Sequence, residues 1–358
     1  GPTPTDGVVA EPKSVALVGT GLIGGSIALA ARARLGATVV GVDPDPAPAL
    51  EIGAIDEAAA LPEALDGAAV AFVATPVAAL APTVTAVLAA APAGCLVTDT
   101  GSVKRAVVAA TDDERFVGGH PLAGAETGGA RGAREDLFDG ATWYLTPTRR
   151  SSGLQLERLH RLLTDLGARP AVLDAETHDR MMAAVSHLPH VLANVLVGQA
   201  ARALGGEHAG AFGQVGPSFR DATRVAGANP SLWGEIYAAN GDALVAELDA
   251  VLAALQDVRA RLAGGESLEG WQAGAAAQRD ALSAATAGEA LAELRVVVPN
   301  RPGVVADVAL TLSREGINLA DMSLAPSADM ATGALALWVP AARAERARTL
   351  LAELGLSA

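Results

Sequence analysis

Gly19-Thr20-Gly21-Leu22-Ile23-Gly24 has the spacing G-x-G-x-x-G, directly after an apolar run, Ser14 to Val18, and at the head of a helical stretch. In that strand-turn-helix setting each glycine has a task. The first permits a tight turn, the second lets the backbone approach a pyrophosphate, and the third allows close helix-to-strand packing. The helix N-terminus adds amide donors and positive potential. A chain with 39 glycines produces such spacings by chance, so the setting carries the weight. Gly19, Gly21, Leu22, Ile23 and Gly24 are candidate cofactor contacts, and Thr75, just past a later apolar run, is another. Asp43 closes the second strand-like run, where a carboxylate accepts hydrogen bonds from the adenosine ribose hydroxyls. The same charge repels a ribose 2′-phosphate, Pro44 follows, and no arginine stands next to receive that phosphate, so NAD is expected in preference to NADP. The competing reading is that Asp43 only caps a turn before Pro44.

Working outward, short β-branched runs alternate with helical ones, the pattern of a parallel sheet wrapped by helices. Ser14 to Val18, Thr38 to Val42, Val70 to Ala74, Cys95 to Asp99 and Arg115 to Gly118 are the expected strands. Several are apolar on both faces, as central strands of a doubly wound sheet are. Thr142 to Leu145 and Arg169 to Leu173 add two more, with a helix from Leu154 to Leu166 between them. From Ala175 to about Ala285 the strand signals stop and Ala, Leu and Val recur at helical spacing. Pro189 should kink or start a helix there, and Gly264-Gly265 marks a break. After a linker at Ala287-Gly288-Glu289 comes a small module. Its order is strand (Leu294 to Val298), turn, helix (Val304 to Arg314), strand (Ile317 to Leu324), strand (Gly333 to Val339), helix (Ala342 to Leu354). The expected class is α/β: a disordered lead-in over 1–12, a Rossmann-type doubly wound domain over 13–175, an all-helical substrate and dimerisation domain over 176–286, and an α+β module over 290–358.

At 358 residues the chain exceeds what one hydrophobic core organises. Hydrophobic residues are 51% of it and aromatics only 3%, so its cores are built from Ala, Val and Leu. A net charge of −14 repels phosphate backbones and anionic headgroups. That argues against nucleic-acid and membrane-surface partners and leaves an anionic small molecule to a few placed arginines. No uninterrupted apolar run of about 18 residues occurs, and the N-terminus lacks a basic-then-apolar leader. Gly1-Pro2 reads as a tag remnant. Cys95, the only cysteine, reads as a buried inert thiol and suits a reducing, cytoplasmic setting.

Four further segments, in order, resemble the prephenate dehydrogenase family. Asp99-Thr100-Gly101-Ser102-Val103-Lys104 is similar to its D-x-G-S-V-K segment, and Gly119-His120-Pro121-Leu122-Ala123-Gly124-Ala125-Glu126 to its G-H-P-x-A-G-x-E segment. Ser186-His187-Leu188-Pro189-His190 is similar to S-H-x-P-H, and Phe219-Arg220-Asp221-Ala222-Thr223-Arg224-Val225-Ala226 to F-x-D-x-T-R-I-A, with Trp233 following. The terminal module resembles an ACT domain whose first turn is Asn300-Arg301-Pro302-Gly303 and whose final strand is expected to be short or absent.

The resemblance implies oxidative decarboxylation of prephenate by NAD, or of its transaminated form arogenate. Loss of hydride from C4 needs an acceptor at the C4 hydroxyl, and an imidazole that is neutral near pH 7 suits that task. His120 is the candidate, by resemblance the family's catalytic histidine, with Ser102 orienting it. Without the resemblance, a histidine bonded in a glycine-rich turn competes. Arg224 is implied to bind a substrate carboxylate, and Arg220 is a second contact or a surface charge. His190 is implied to meet the ring-side polar groups of the substrate, with His187 structural. That pair, three apart on one helical face, also suits a metal, but no third ligand accompanies it and no metal is expected. Glu126 joins a polar gate or is an ordinary solvated glutamate. Asp221 and Trp233 match positions that approach from a neighbouring subunit, and apolar helices with little polar surface suggest an intertwined homodimer. Asn300, Gly303 and Asn318 lie where such modules bind amino acids, with tyrosine as the expected effector. Two other readings stand beside these. A β-hydroxyacid dehydrogenase needs a lysine that is missing between Ala175 and Gly205, and a non-catalytic NAD or amino-acid sensor would not need Ser102, His120 and Arg224 intact.

Overall fold

The computed structural model describes residues 14–124, 128–205, 215–284 and 290–356. The chain forms two compact units, Gly1–His178 with Ala290–Ala358, and Asp179–Glu289. Strands and helices alternate through the first: β1 (Ser14–Val18), α1 (Leu22–Leu35), β2 (Thr38–Val42), α2 (Ala47–Glu51), β3 (Glu57–Ala58) and α3 (Leu61–Ala64). Then come β4 (Val70–Val73), α4 (Val77–Ala90), β5 (Leu96–Asp99), α5 (Arg105–Ala109), β6 (Phe116–Pro121), β7 (Thr142–Thr146), α6 (Gly153–Asp165) and β8 (Arg169–Val172). They make one sheet in the order β3-β2-β1-β4-β5-β6-β7-β8. β1 to β6 pair in parallel, β7 runs antiparallel to β6, and β8 is parallel to β7. The chain steps outward from β1 and returns on the other side at β4, so the strand order reverses there; open α/β sheets bind ligands at that switch point, beyond the strands' C-terminal ends.

The sheet is covered on both faces, which is why its central strands read as unbroken apolar runs. Leu17 of β1 packs with Phe72, Leu96, Ile27 and Leu159 on one face, while Ala16 and Val18 pack with Val73, Val97, Leu80 and Val84 on the other.

The second unit is helical. α7 (Ala175–Met182), whose first four residues belong to the first unit, a wide π turn over Ala183–His187 and α8 (Leu188–Ala203) form one continuous helix. Pro189 cannot donate a backbone hydrogen bond, and just before it the ladder widens, with Leu188 N bonding Ala183 O. By length and composition this helix, Ala175–Ala203, is apolar enough to cross a membrane; core helices of soluble proteins have the same character. α9 (Pro217–Thr223), α10 (Pro230–Ala239), α11 (Gly241–Ala263) and α12 (Glu269–Ala284) complete the unit.

The C-terminal module belongs to the first unit. β9 (Leu291–Pro299), α13 (Val304–Arg314), β10 (Asp321–Pro326), β11 (Thr332–Pro340) and α14 (Ala344–Glu353) give an antiparallel sheet in the order β10-β11-β9. Its core is continuous with that around α6. Gly303 N donates to Ser151 O at 2.8 Å, and any side chain on Gly303 would run into the backbone of Arg149.

Two expectations need correction, and one element was not anticipated. β6 runs to Pro121, so His120 lies inside a strand, paired with Tyr144, and not just beyond one. Gly119 there marks close packing, since a Cβ would crowd Asp99 O and Thr98 Oγ1. β10 starts at Asp321; Ile317 and Leu319 are buried but follow the Gly316 turn outside the ladder, so their alternation reflects burial without pairing. The two-residue β3 was too short to show a pattern. Among the described residues no strand follows α14. Glu126 and the linker at Ala287-Gly288-Glu289 lie outside the described residues.

Candidate active site

The glycine loop joins β1 to α1 at the switch point. Gly19 has φ +94°, and a side chain on it would collide with the Ala74 backbone at the end of β4. A Cβ on Gly24 would collide with Gly19 O, whereas one on Gly21 would meet nothing within 4 Å, so the loop is closed behind and open in front. No side chain caps α1 at Gly21, and the first-turn amides of a helix have no partner within it. Thr75 Oγ1, beside this loop, is buried without a hydrogen-bond partner. Asp43 Oδ2 accepts from Thr20 N at 2.7 Å and Oδ1 from Asp45 N at 2.9 Å. The carboxylate therefore both caps the turn and braces the glycine loop, and each oxygen keeps a second lone pair for a hydroxyl. An open loop, uncapped amides, an orphaned hydroxyl and a carboxylate closing β2 fit a dinucleotide.

On the same sheet edge, β5 ends at Asp99, whose carboxylate is fully buried. Oδ2 accepts from Gly101 N at 2.9 Å and pairs with Lys104 Nζ, while Oδ1 accepts from Gly119 N at 3.1 Å. Lys104, equally buried, also donates to Gly119 O. One ion pair thus ties the loop carrying Ser102 to the strand carrying His120. His120 is 8% exposed, and its Nδ1 lies 2.8 Å from Nε2 of His178, at the start of α7. Tyr144, across the β6–β7 ladder, stands edge-on to His178, and burial pushes its hydroxyl pKa up.

The helical unit builds a second polar cluster. His190 stacks on Trp233 with ring centres 3.4 Å apart, and the buried His187 stands edge-on to the same indole. His187 Nδ1 lies 3.2 Å from Asn240 Nδ2, which donates to Asp179 O. Burial, then the neighbouring Arg224 charge, holds His190 below the usual imidazole pKa. His190, Asn194, Arg202, Trp233 and Tyr237 line a pocket there. Arg224 and Asp221 are exposed, and Arg220 turns back to donate to Val215 O.

Of the expected effector residues, Asn300 lines a cavity of about 220 Å³ with Arg301, Glu114 and Leu154, between the first turn of the C-terminal module and the start of α6. The Gly303 amide is committed to Ser151, and Asn318 is exposed ahead of β10 and does not line that cavity.

Sequence reading missed His178, the bracing roles of Asp99 and Lys104, and Asn240. Asp99 and Lys104 sat inside a quoted segment, but nothing in periodicity links His178 to a ring 58 residues away.

Residues 27–172 match the family described as prephenate dehydrogenase, nucleotide-binding domain. Residues 174–270 match prephenate dehydrogenase, dimerization domain, and 292–355 match the ACT domain. The chain is 31% identical to prephenate dehydrogenase of Bacillus subtilis over 348 residues, 90% of this chain and 91% of that one. It resembles the solved prephenate dehydrogenase of A. aeolicus in complex with hydroxyphenyl propionate and NAD+, with TM-score 0.70 and 27% identity over 75% of this chain and 98% of the other. It resembles Synechocystis arogenate dehydrogenase with TM-score 0.66 and 29% identity over 75% and 99%. The chain belongs to the prephenate dehydrogenase family, as an NAD-dependent oxidoreductase whose nucleotide-binding and helical domains are followed by an ACT domain.

Proposed function

We propose that the chain converts prephenate to 4-hydroxyphenylpyruvate and CO2 with reduction of NAD. The observation that carries this is the placement of His120 at the C-terminal end of β6, tied through Asp99 and Lys104 to the Ser102 loop, on the sheet edge that also holds the open glycine loop. NAD, when bound, supplies the hydride acceptor. Gly19, Gly21, Leu22, Ile23 and Gly24 would hold its pyrophosphate and Asp43 its ribose, with Thr75 Oγ1 as a further candidate contact. His120 takes the proton of the C4 hydroxyl and Ser102 keeps the imidazole oriented. Arg224, with Arg220 as a second cation, binds substrate carboxylate, and His190 on its Trp233 platform meets the ring-side polar groups. Glu126 and Asp221 belong to the same proposed set.

Arogenate is the second reading, favoured by the likeness to the Synechocystis enzyme. Its side-chain ammonium needs a counter-charge. The described lining of the pocket around His190 and Trp233 offers Arg202 but no carboxylate, so for arogenate that counter-charge would come from Glu126 or Asp221.

A homodimer is proposed from the match to the dimerization domain and from exposed Val195, Leu252, Leu255 and Leu282 on the helical unit. Tyrosine is the proposed effector, acting on the cavity between Asn300 and Leu154; unchanged turnover across a tyrosine titration would remove that assignment.

The deciding assay is NADH formation with prephenate or arogenate, each with NAD or NADP. Turnover of prephenate with NAD is expected; turnover of arogenate alone would reassign the side chain, and NADP preference would overturn the role of Asp43. His120→Asn should lower kcat by about 10²- to 10⁴-fold with NAD affinity retained.

A further inference from the structure

We infer that His178 is a positioning residue for the reaction: it accepts the Nδ1 proton of His120 and thereby fixes the tautomer in which His120 can act as a base. This rests on the reading of His120 as the base. The two ring nitrogens are 2.8 Å apart, the rings meet edge to face at 75°, and His178 is fully buried. A neutral imidazole has one N–H and one lone pair, so of the facing nitrogens one donates and the other accepts. If His178 donated, the His120 proton would sit on Nε2 and its only lone pair would be spent on His178, leaving no base. If His120 donates, its lone pair is on Nε2 and serves the reacting hydroxyl. Catalysis therefore requires His178 as the acceptor, in its Nδ1–H form.

The surroundings hold the acceptor in place. Asp174 caps the first turn of α7, with Oδ1 accepting from Thr177 N at 2.8 Å, Oδ2 from Thr177 Oγ1 at 2.9 Å, and its carbonyl from His178 N at 2.9 Å. Tyr144 walls the His178 ring from β7, in register with His120, and burial keeps its hydroxyl protonated. On the flank of α7, Glu176 is 3.8 Å from Arg105. When the substrate hydroxyl passes its proton to Nε2, His120 becomes an imidazolium whose Nδ1–H is already hydrogen-bonded to His178. The charge is met by a lone pair, and no further proton moves.

The test uses the full chain, with kcat and KM for prephenate and the pH profile of kcat/KM measured for wild type, His178→Gln, His178→Phe and His120→Asn. The glutamine carbonyl can accept from His120 Nδ1, and phenylalanine keeps a ring but no acceptor. His178→Phe should lose about 100-fold in kcat, the scale of misplaced catalytic groups, with KM and NAD affinity nearly unchanged. Its acid limb should move to lower pH, because the imidazolium has lost its acceptor. His178→Gln should recover about tenfold of that loss and return the limb toward wild type. If His178→Phe does not fold, His178→Asn, whose amide is too short to reach His120, takes its place. A His178→Phe enzyme with wild-type kcat overturns the proposal. So does a glutamine variant as slow as phenylalanine with wild-type melting and NAD binding. If His120→Asn retains wild-type turnover, the base assignment itself has failed; if it is inactive while the His178 variants are not, only the positioning role has.

Discussion

Lys104 and Asp99 form an ion pair with both side chains fully excluded from water, and the pair also fixes the backbone of Gly101 and Gly119. Removing one partner leaves an uncompensated buried charge, whose cost is on the order of 3 kcal/mol. Lys104→Met should therefore lower the unfolding free energy by that amount, seen as a lower urea midpoint, and slow NADH formation beyond what the remaining folded fraction explains. An unchanged midpoint would show that the pair is not holding the loop. Cys95 gives the opposite case, a titratable group with no task. Burial pushes its thiol pKa up to about 11, so almost none is thiolate at pH 8 and it should not react with a disulfide reagent until denaturant is added. Rapid native labelling would contradict its burial. At this scale His120, Ser102 and Arg224 could be nominated from the sequence because each lies in a contiguous segment with its own pattern. His178 was not, because its significance is a contact across 58 residues that no local spacing encodes.

Elements were legible wherever burial and hydrogen bonding follow the same period. β1 and β2 begin and end where their apolar runs do. They diverge at β6, where Gly119 and Pro121 look like a turn but are ladder positions, and at Ile317 and Leu319, which alternate like a strand yet pack without pairing. The contact between α6 and β10 illustrates what only packing shows. His160 of α6 is fully buried with neither ring nitrogen in a hydrogen bond of good geometry. Desolvation holds its pKa below the ordinary 6.5, against the opposing pull of Asp321 and the Leu319 backbone. The unfolded chain therefore binds a proton at this site as pH falls below 6.5 while the folded chain resists it, so stability is full above that window and declines below it. His160→Leu should raise stability by about 1 kcal/mol at neutral pH by removing two unsatisfied polar atoms. It should also flatten the fall in melting temperature between pH 7.5 and 5.5. A variant that melts lower, with an unaltered pH dependence, would mean that the imidazole is satisfied after all.

For the whole molecule, the C-terminal module and the nucleotide-binding sheet share one core, while the helical unit leaves large apolar side chains in water. On α11, Val245, Leu252, Leu255 and Leu262 are each more than half exposed. They lie seven, three and seven residues apart, the spacing that keeps side chains on one helical face. Burying a leucine side chain contributes about 1.5–3 kcal/mol, so such a stripe is a standing drive for association. With a second copy as the partner, the wild-type chain should elute and scatter as a dimer at micromolar concentration. Leu252→Glu combined with Leu255→Glu should shift it to monomer without lowering its helix content, because neither side chain supports the core of its own unit. Activity separates two ways of building the site. Trp233 already stacks on His190 of its own chain, so that platform survives in a monomer. The exposed Asp221 is the residue proposed to act across the interface. If Asp221 acts in trans, the monomeric variant should lose most of its turnover, and mixing it with wild type should recover activity only as mixed dimers form. A monomer with full turnover would confine the site to one chain, and a variant that stays dimeric would move the interface away from α11.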